Sequence, residues 1–338
     1  MATTYQELLP AVEATVIANN LPVAKAREVI GRFMTISKLG RNQGRSVKWT
    51  RYNTLPKAMS PLADGIPPTS TKPTKTDITA SLEQYGAIVE LTDRITMTHT
   101  DPVLNIETER CMENASETIE AVRFGIAKGG TNVIYAGNVA SRSLVNATIS
   151  RGLIRQAVRN LSRNRARRIT KMIKASALIA TEPVAAAFVA VVHPDLESDV
   201  RNISGFTPVE YYSNPSAAFE DELGKAEGIR FVKSDLCEPW LSSGASNATW
   251  LIAGNIASAA ASCDVYPVLI FGADSFAGVP LTGQNKGIRL HVVPPDKVDS
   301  GNRLGQVGSV GWITDQASAI INDLWMVRLE VAATASLT

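Results

Sequence analysis

Residues 101–130 read DPVLNIETERCMENASETIEAVRFGIAKGG, and this stretch has the pattern of a single long helix. Asp101 can accept hydrogen bonds from the first turn, and Pro102 stands at the first helical position, where a missing N–H costs nothing. Two glycines end the stretch, as is typical after the last turn of a helix. The pattern predicts a helix over residues 102–128, which at 1.5 Å per residue extends roughly 40 Å.

The predicted helix has an apolar face and, one position further on, an acidic row. Apolar residues recur at spacings of three and four, which places them on one side. The apolar face consists of Leu104, Met112, Ala115, Ile119, Val122 and Ile126. The acidic row consists of Glu109, Glu113, Glu117 and Glu120. Such a row is most often a solvated edge, and the other interpretation is that it faces basic residues of this chain or of another copy.

The composition excludes several classes of protein. Of the 338 residues, 45% are apolar and 20% are charged, which predicts a globular chain with a buried core and about two domains. The net charge of +2 gives no argument for nucleic-acid binding by the protein as a whole. The first ten residues lack a basic segment followed by an apolar one, so no signal peptide is expected. The most apolar stretch, 175–192, is interrupted by Glu182 and Pro183, so no membrane partner is expected.

No set of residues predicts catalysis or a bound cofactor. Cys111, Cys237 and Cys263 are scattered and form no CxxC pair, so neither a disulfide framework nor a zinc cluster is indicated. His193 precedes a proline and an acid at the end of an apolar stretch, where a turn-forming histidine is more common than a catalytic base. The sequence has no HExxH, GxSxG or GxxxxGK-Ser/Thr pattern. We therefore expect a protein that is not an enzyme and that holds no metal or cofactor.

A proline-rich segment separates two strand-like stretches. Residues 46–52, SVKWTRY, alternate in the way of a strand, and residues 78–98 also read as extended chain. Between them, residues 53–76 hold five prolines within eighteen residues, which excludes a helix and disfavours a central strand. A loop of this length is usually either functional or disordered. The pattern predicts a β-hairpin arm that extends from the body, and a flexible surface loop is the alternative.

The next helical pattern, residues 150–174, carries nine basic residues and no acidic one. Its apolar residues centre on the side opposite to a row of arginines spaced four apart. The arginine row consists of Arg151, Arg155, Arg159, Arg163 and Arg167. The row could pair with the acidic row in its own or a neighbouring subunit, contact nucleic-acid phosphates without reading sequence, or be solvated. No aromatic residue is interleaved among the arginines, so base stacking is not supported, and we favour pairing and assembly contacts.

The second half of the chain mixes strands and helices without a regular βαβ rhythm. The predicted strands are residues 184–192, 229–232, 249–252, 265–271 and 287–293, with a closing strand near 325–331. A glycine-rich loop is predicted between residues 271 and 287, and a short strand with a loop is predicted before the closing strand. This pattern favours the α+β class.

The order of these features resembles the major capsid proteins of tailed bacteriophages, which have the Hong Kong 97-type fold. That order is an N-terminal arm, a β-hairpin with an extended tip, a long spine helix, a second helix, and a mixed domain that closes on a strand. Two stretches carry the resemblance further. They are FVAVVHPDLESDVRNI at residues 188–203, and NRLGQVGSVGWIT followed by AIINDLWMVRLEV within residues 302–331. The resemblance covers most of the chain, although residues 205–263 carry no motif that belongs to it.

The resemblance implies a division of the chain and a structural role. The implied parts are an N-terminal arm at 1–45, an extended loop at 46–90, a peripheral domain at 91–180 and 296–338 with the spine helix 102–128, and an axial domain at 181–295. Copies would assemble into hexamers and pentamers of an icosahedral shell. The expected assembly contacts are Leu55, Met59, Leu62 and Ile66 of the loop, Glu113 and Glu117 of the spine helix, and Arg151, Arg155, Arg159 and Arg163 of the basic helix.

The resemblance further implies partners and a location. The shell would enclose double-stranded DNA that the subunit contacts non-specifically, and a separate scaffold protein and a portal would take part in assembly. The protein would belong to the virion and would assemble in the cytoplasm of a host bacterium. Two alternatives remain open. One is a shell protein of an encapsulin-like bacterial nanocompartment, which would hold a cargo enzyme, and the other is an enzyme with a site in the glycine-rich second half.

Overall fold

The computed structural model describes most of the chain. The described residues are 28–37, 39, 44–59, 61, 64, 70–98, 103–169, 173–174, 182–183, 186–212, 219, 221–246, 255–258, 262–280, 288–295 and 302–335. Their α-helices are Asp93–Thr98 (α1), Val103–Lys128 (α2), Arg151–Arg163 (α3) and Glu197–Arg201 (α4). Their strands are Thr35–Ile36 (β1), Ser46–Tyr52 (β2), Lys75–Ser81 (β3), Glu83–Thr92 (β4), Val133–Tyr135 (β5), Ile173–Lys174 (β6), Glu182–Pro183 (β7), Phe188–Val192 (β8), Thr207–Pro208 (β9), Glu222–Ala226 (β10), Ile229–Lys233 (β11), Tyr266–Phe271 (β12), Phe276–Pro280 (β13), Ile288–Val293 (β14), Val307–Ile320 (β15) and Met326–Val331 (β16). This mixture confirms the α+β class.

Some sequence-based predictions lie outside the described residues. They are most of the N-terminal arm at 1–45, the loop residues Leu62 and Ile66, the cap of the spine helix at Asp101 and Pro102, and the strand at 249–252.

The predicted spine helix is confirmed as α2, which is 26 residues long. It ends as expected at Lys128, where the N–H of Gly129 donates to the carbonyl of Ile126 at 3.0 Å. In its first half, Ala115 shares an apolar cluster with Trp312 of β15. In its second half, Phe124 joins the core under β8. The helix therefore contacts both main sheets of the subunit. No described helix has the length and apolarity needed to cross a membrane.

The buried face of α2 differs from the predicted one, which left out several of the residues that the structure buries. Met112, placed on the apolar face, is 40% exposed, and Glu120, placed on the acidic row, is fully buried. The reason is that α2 packs against two cores in succession. The buried side turns from Cys111 in the first half to Phe124 and Ala127 in the second, and this turn takes Glu120 inside.

A five-stranded sheet is built around β15, which is 14 residues long. β4 pairs antiparallel with most of β15, and β14 and β13 pair with it one after the other. The prediction of a short strand and a loop was wrong here, as was the loop at residues 276–280, which form β13. Polar side chains suggested a loop, but Gln316 has a polar partner inside the protein, since Arg123 donates to its Oε1 at 3.2 Å.

The second main sheet has seven strands in the order β5-β16-β12-β8-β11-β10-β9. Every residue of β8 is buried, and its side chains alternate between two cores. Phe188 lies in one core with Ile154 of α3, whereas Val189 and Val191 lie in the other with Phe124 of α2. The sheet is thus layered between α3 and the second half of α2. The strands predicted at 229–232, 265–271, 287–293 and 325–331 are confirmed as β11, β12, β14 and β16.

The two sheets do not coincide with the predicted domain boundaries. β16 belongs to the predicted peripheral part, yet it lies between β5 and β12 in the seven-stranded sheet. β13 and β14 belong to the predicted axial part, yet they pair with β15. The division at residues 181 and 296 therefore stays a prediction about the assembled shell.

The basic helix is shorter than predicted, because α3 ends at Arg163. Beyond it, Arg165 has a φ of 55° and donates its N–H to the carbonyl of Ser162 at 3.0 Å. The N–H of Ala166 donates to the carbonyl of Leu161 at 2.9 Å. These two bonds form a Schellman motif, which ends the helix. The helical arginine row therefore has four members, and the fifth predicted member lies beyond it.

The hairpin predicted around the proline-rich segment is confirmed as β2 and β3. The two strands pair antiparallel from Ser46 with Ser81 to Tyr52 with Lys75. The prediction of extended chain up to residue 98 was wrong at its end, because Asp93–Thr98 forms α1. An acidic residue in the first turn favours a helix at this point.

Candidate assembly surfaces

The hairpin is attached to the body at its root. Trp49 is half-buried in a cluster with Leu82, and its indole N–H donates to Ser37 Oγ at 3.0 Å. On the opposite face of the hairpin, Lys48 Nζ lies 2.7 Å from Asp77 Oδ2. This hydrogen bond, together with one from a threonine, holds the pKa of the Asp77 carboxyl below its usual range. The two strands are thus held to each other and, through one face, to the subunit.

The loop beyond the hairpin presents apolar side chains to solvent. Leu55 is 56% exposed and Met59 is 82% exposed. Both follow Tyr52, the last residue of β2. The other two predicted loop contacts lie outside the described residues. Exposed apolar side chains at the far end of a paired hairpin are suited to contact with another chain.

Glu120 anchors the start of the described chain to α2. Its Oε1 accepts hydrogen bonds from the backbone N–H groups of Val29 and Ile30, at 2.9 and 2.5 Å. Arg123 Nη1 lies 3.8 Å from Glu120 Oε2 and donates to Glu28 Oε2 at 3.0 Å. Burial raises the pKa of the Glu120 carboxyl, and the two N–H groups and Arg123 oppose this effect. The carboxylate holds two segments that are far apart in the sequence.

The sequence analysis did not predict this network, although the position of Glu120 in the helical pattern indicated that it could be buried. Glu120 stands four and seven residues before Phe124 and Ala127, which is the spacing of one helical face, and both of those residues are buried. Glu113 and Glu117 are half-buried on α2. Their role as assembly contacts stays a prediction.

The arginine row on α3 contains members of two kinds. Arg151 Nε donates to Glu227 Oε1 at 2.6 Å, and Arg155 Nη2 lies 3.1 Å from the same oxygen. Hydrogen bonds from Arg155 and Arg151 hold the pKa of the Glu227 carboxyl below its usual range. Arg159 and Arg163 are exposed and form no ion pair with a residue that the structure describes. Within the subunit, the row therefore pairs with the turn between β10 and β11 rather than with α2.

A second buried network was also missed, and it joins the end of α2 to the closing strand. Glu330 of β16 is fully buried, and Arg142 donates to its two oxygens at 2.7 and 2.8 Å. Arg328 Nε lies 2.9 Å from Glu330 Oε1. The ring centre of Trp240 lies 3.5 Å from the Arg142 guanidinium carbon and 4.0 Å from Lys128 Nζ. Burial and the charge of Arg142 lower the pKa of Lys128. Glu330 contacts both guanidinium groups, and Lys128 donates to the carbonyl of Glu238 at 3.1 Å, so the network ties the end of α2 to β16.

The side chains that most often carry catalysis have structural roles here. Burial raises the pKa of the Cys111 and Cys263 thiols, and raises that of Cys237 to about 12. His193 Nδ1 accepts from the N–H of Asp195 at 3.2 Å, which is the turn role expected for it. The described residues contain no group of three or more His, Cys, Asp or Glu side chains that could hold a metal ion.

The fold matches solved phage capsids at low sequence identity. The capsid of Ralstonia phage GP4 is 13% identical, covers 99% of each chain and gives a TM-score of 0.67. The capsid of cyanophage Pam1 is 14% identical over 97% of this chain and 99% of that chain, with a TM-score of 0.66. The head structure of Helicobacter pylori bacteriophage KHP40 is 9% identical over 98% of each chain, with a TM-score of 0.65. At these identities the likeness concerns the fold, and it confirms the Hong Kong 97-type architecture expected from the sequence.

Comparison of the sequence with family models identifies the family. No curated protein matches the chain. A family model described as phage capsid protein matches residues 75–312. That range runs from the start of β3 into β15 and includes α2, α3 and most strands of both main sheets. Because the match spans more than half of the chain, this protein belongs to the phage capsid protein family.

Proposed function

We propose that copies of this capsid subunit assemble into hexamers and pentamers of an icosahedral head that encloses double-stranded DNA. One observation carries the proposal, namely that Leu55 and Met59 are 56% and 82% exposed on a loop at the far end of a paired hairpin. In a shell, contacts between copies repeat by symmetry, so one apolar loop can be buried at every equivalent position.

The composition of the loop supports this use. The five prolines within residues 53–76 restrict the free chain. Such a loop therefore loses less conformational entropy on docking than a glycine-serine loop of equal length. A proline-rich apolar loop gives little to the stability of its own subunit, but it is well suited to lie on a neighbour.

The decisive experiment replaces residues 56–75 with a short Gly-Ser turn. We expect a soluble subunit with near-native circular dichroism and melting temperature, because both main sheets keep their cores. Shell formation should be lost or replaced by irregular aggregates. Sedimentation velocity and negative-stain electron microscopy measure the outcome. Normal closed particles would mean that the loop is dispensable, and an unfolded subunit would mean that it belongs to the subunit's own core.

A milder variant pair separates apolar contact from loop length. Leu55→Ser with Met59→Ser keeps the loop but removes its exposed apolar side chains. Leu304→Ser is the matched control, because Leu304 is 80% exposed on another loop. We expect the double variant to reduce the yield of shells at least tenfold and the control to leave it unchanged.

We further propose that the free part of the arginine row contacts a neighbouring subunit. Arg151 and Arg155 are engaged by Glu227, which leaves Arg159 and Arg163 as exposed charges. Arg159→Glu with Arg163→Glu should therefore impair assembly, while the subunit's melting temperature stays close to wild type. Normal empty shells that retain less DNA would instead assign these arginines to the genome, as sequence-blind phosphate contacts.

The remaining proposals concern the wider assembly. A separate scaffold protein and a portal would take part, and assembly would take place in the cytoplasm of the host bacterium. The peripheral part at 91–180 with 296–338 and the axial part at 181–295 would describe positions in the shell rather than separate sheets. A nanocompartment shell with an enzyme cargo, or an enzyme with a site in the second half, is less consistent with membership of the phage capsid protein family.

A further inference from the structure

Three cations surround the indole ring of Trp240 at the end of α2. The guanidinium carbon of Arg142 lies 3.5 Å from the ring centre, Lys128 Nζ lies 4.0 Å from it, and the guanidinium carbon of Arg328 lies 5.4 Å from it. The backbone N–H and carbonyl of Trp240 pair with Val265 at 2.9 and 3.0 Å, which fixes the position of the ring. Like charges this close repel one another, so the cluster is stabilised by any negative charge beside it.

The subunit supplies less negative charge than the cluster needs. Among the described residues, one buried carboxylate contacts these cations, and it contacts two of the three. Glu330 accepts from Arg142 at 2.7 and 2.8 Å, and Arg328 Nε lies 2.9 Å from Glu330 Oε1. Lys128 Nζ donates to the backbone carbonyl of Glu238 at 3.1 Å, and Glu238 itself is exposed. Positive charge therefore exceeds negative charge inside the cluster.

Several hydrogen-bond donors of the cluster have no acceptor in the part of the chain that the structure describes. The indole N–H of Trp240 is one of them. The other described tryptophans each donate to an acceptor in the protein; they are Trp49, Trp312 and Trp325. Lys128 has three N–H donors and uses one, and Arg142 binds Glu330 through Nε and Nη2, which leaves Nη1. The Arg142 side chain is 31% exposed, and Lys128 and Trp240 are half-buried, so a ligand can reach these donors.

The chemistry of the donors indicates an anion with several oxygens. Burial and the charge of Arg142 lower the pKa of Lys128, and Glu238 opposes them only in part, so the ammonium lacks a full counter-charge. Charge-assisted hydrogen bonds to an oxyanion are stronger than neutral ones, and a guanidinium matches phosphate geometry well. A phosphate group offers three strong acceptor oxygens, whereas a carboxylate offers two. Three converging donors of different residues therefore suit a phosphate group.

We propose that Lys128, Arg142 and Trp240 form a binding site for a phosphate group at the end of α2. The ammonium of Lys128 and Nη1 of Arg142 donate to the phosphate oxygens, and the indole N–H of Trp240 adds a neutral donor. Glu330 holds Arg142 in position from the buried side. The phosphate is either a free ion or part of the backbone of double-stranded DNA, since both present the same oxygens. The site is separate from the arginine row of α3 and does not depend on assembly into a shell.

The test is the binding of inorganic phosphate to unassembled subunits whose tryptophans carry ¹⁵N. The indole signal of Trp240, assigned with Trp240→Phe, should shift and saturate as phosphate is added at constant ionic strength. Isothermal titration calorimetry should show at least tenfold weaker binding in Lys128→Gln and in Trp240→Phe. The phenylalanine keeps an aromatic ring beside the cations and lacks the N–H donor, so a purely structural role of the ring would leave phosphate binding unchanged.

The matched control is Lys225→Gln. Lys225 Nζ also lies over an aromatic ring, at 4.9 Å from the ring centre of Tyr212, and this variant should bind phosphate within twofold of wild type. A short double-stranded DNA separates the two sources of phosphate. Displacement of phosphate from Trp240 by this DNA, with a salt slope of DNA binding lower by about 1 in Lys128→Gln, would assign the site to the DNA backbone. A Trp240 signal that responds to inorganic phosphate and not to DNA would assign it to the free ion.

Four results would overturn the inference. They are a Trp240 signal that does not saturate, equal weakening in Lys225→Gln, wild-type affinity in Trp240→Phe, and displacement of phosphate by acetate at equal concentration. Circular dichroism shows whether each variant folds, and if Trp240→Phe does not, the affinity of Lys128→Gln decides. Because every measurement uses unassembled subunits, a failure to form shells would refute the proposed function and leave this site standing.

Discussion

Replacement of Glu120 tests whether a buried carboxylate on α2 holds the start of the described chain. Glu120→Ala removes the acceptor of two buried backbone N–H groups, those of Val29 and Ile30. Glu120→Gln is the informative partner variant, because its amide oxygen can still accept both hydrogen bonds while the charge is gone. The pair of variants separates hydrogen bonding from charge.

The structure sets the size of the expected effect. Each buried N–H left without an acceptor costs about 1–3 kcal/mol, so two cost about 2–6 kcal/mol. Arg123 keeps Glu28 at 3.0 Å, so it is not left as an unpaired buried charge. We therefore expect the free energy of unfolding to fall by about 3–4 kcal/mol in the alanine variant and by about 1 kcal/mol in the glutamine variant.

The two variants also differ in their response to pH. Burial raises the pKa of the Glu120 carboxyl, so its contribution to stability is complete below the ordinary pKa and is lost as pH rises through the folded one. The charged or titratable groups that face it are Arg123, Glu28 and the Cys237 thiol. Glu120→Gln cannot titrate at this position. Its stability relative to wild type should therefore improve as the pH rises through that interval.

Urea denaturation of unassembled subunits, followed by tryptophan fluorescence, measures these differences. Hydrogen exchange of the peptide that contains Val29 and Ile30 reports directly on the two hydrogen bonds. The protection of these amides should fall only in the alanine variant. Glu109→Ala, at an exposed position of the same helix, is the control and should stay within about 0.5 kcal/mol of wild type. Equal losses in the alanine and glutamine variants would refute the hydrogen-bond argument. Unchanged protection in the alanine variant would refute the anchoring role.

Two further predictions concern the body of the subunit. Burial lowers the pKa of His193 from 6.5, so its contribution to stability is complete above that value and is lost as the pH falls toward the lowered one. His193→Asn keeps an acceptor for the turn and should flatten the loss of melting temperature between about pH 7 and 5; an unchanged slope would contradict the assignment. A Cβ at Gly308 would lie 2.7 Å from the backbone nitrogen of Pro295, so Gly308→Ala should cost about 1–3 kcal/mol in denaturant unfolding. Gly152→Ala, whose Cβ meets no atom closer than 3.9 Å, is the control, and equal behaviour of the two alanine variants would refute the steric argument.

The elements whose formation depends on residues close to them in the sequence could be predicted. The end of α2 follows from the two glycines after Lys128, and the alternation of residues 46–52 predicted β2 with the same bounds. The turn role of His193 follows from the proline and acid that come after it. In each case the decisive contact lies within a few residues along the chain, so composition and spacing were sufficient.

The errors have a common cause, which is contact between residues that are far apart in the sequence. Glu120 looked solvated because its acceptor role depends on Val29, 91 residues away. Gln316 suggested a loop because its partner Arg123 is 193 residues away. The pattern also could not show which arginines of the row form ion pairs within the subunit. The bond between Arg151 and Glu227 depends on where a turn 76 residues away packs.

The layering of the subunit explains why the stability of the subunit and the assembly of the shell should depend on different residues. The seven-stranded sheet receives both of its cores from the same chain, through α3 on one face and α2 on the other. In the described part of the chain, the hairpin packs on the five-stranded sheet at its root, where Trp49 and Leu82 share a cluster with Ala317 of β15. A change at Met59, at the far end, removes nothing from those cores, so it should alter the free energy of assembly and leave that of unfolding unchanged. A change at Glu120 should instead lower the free energy of unfolding of the unassembled subunit, because the hydrogen bonds of Glu120 lie wholly within one chain.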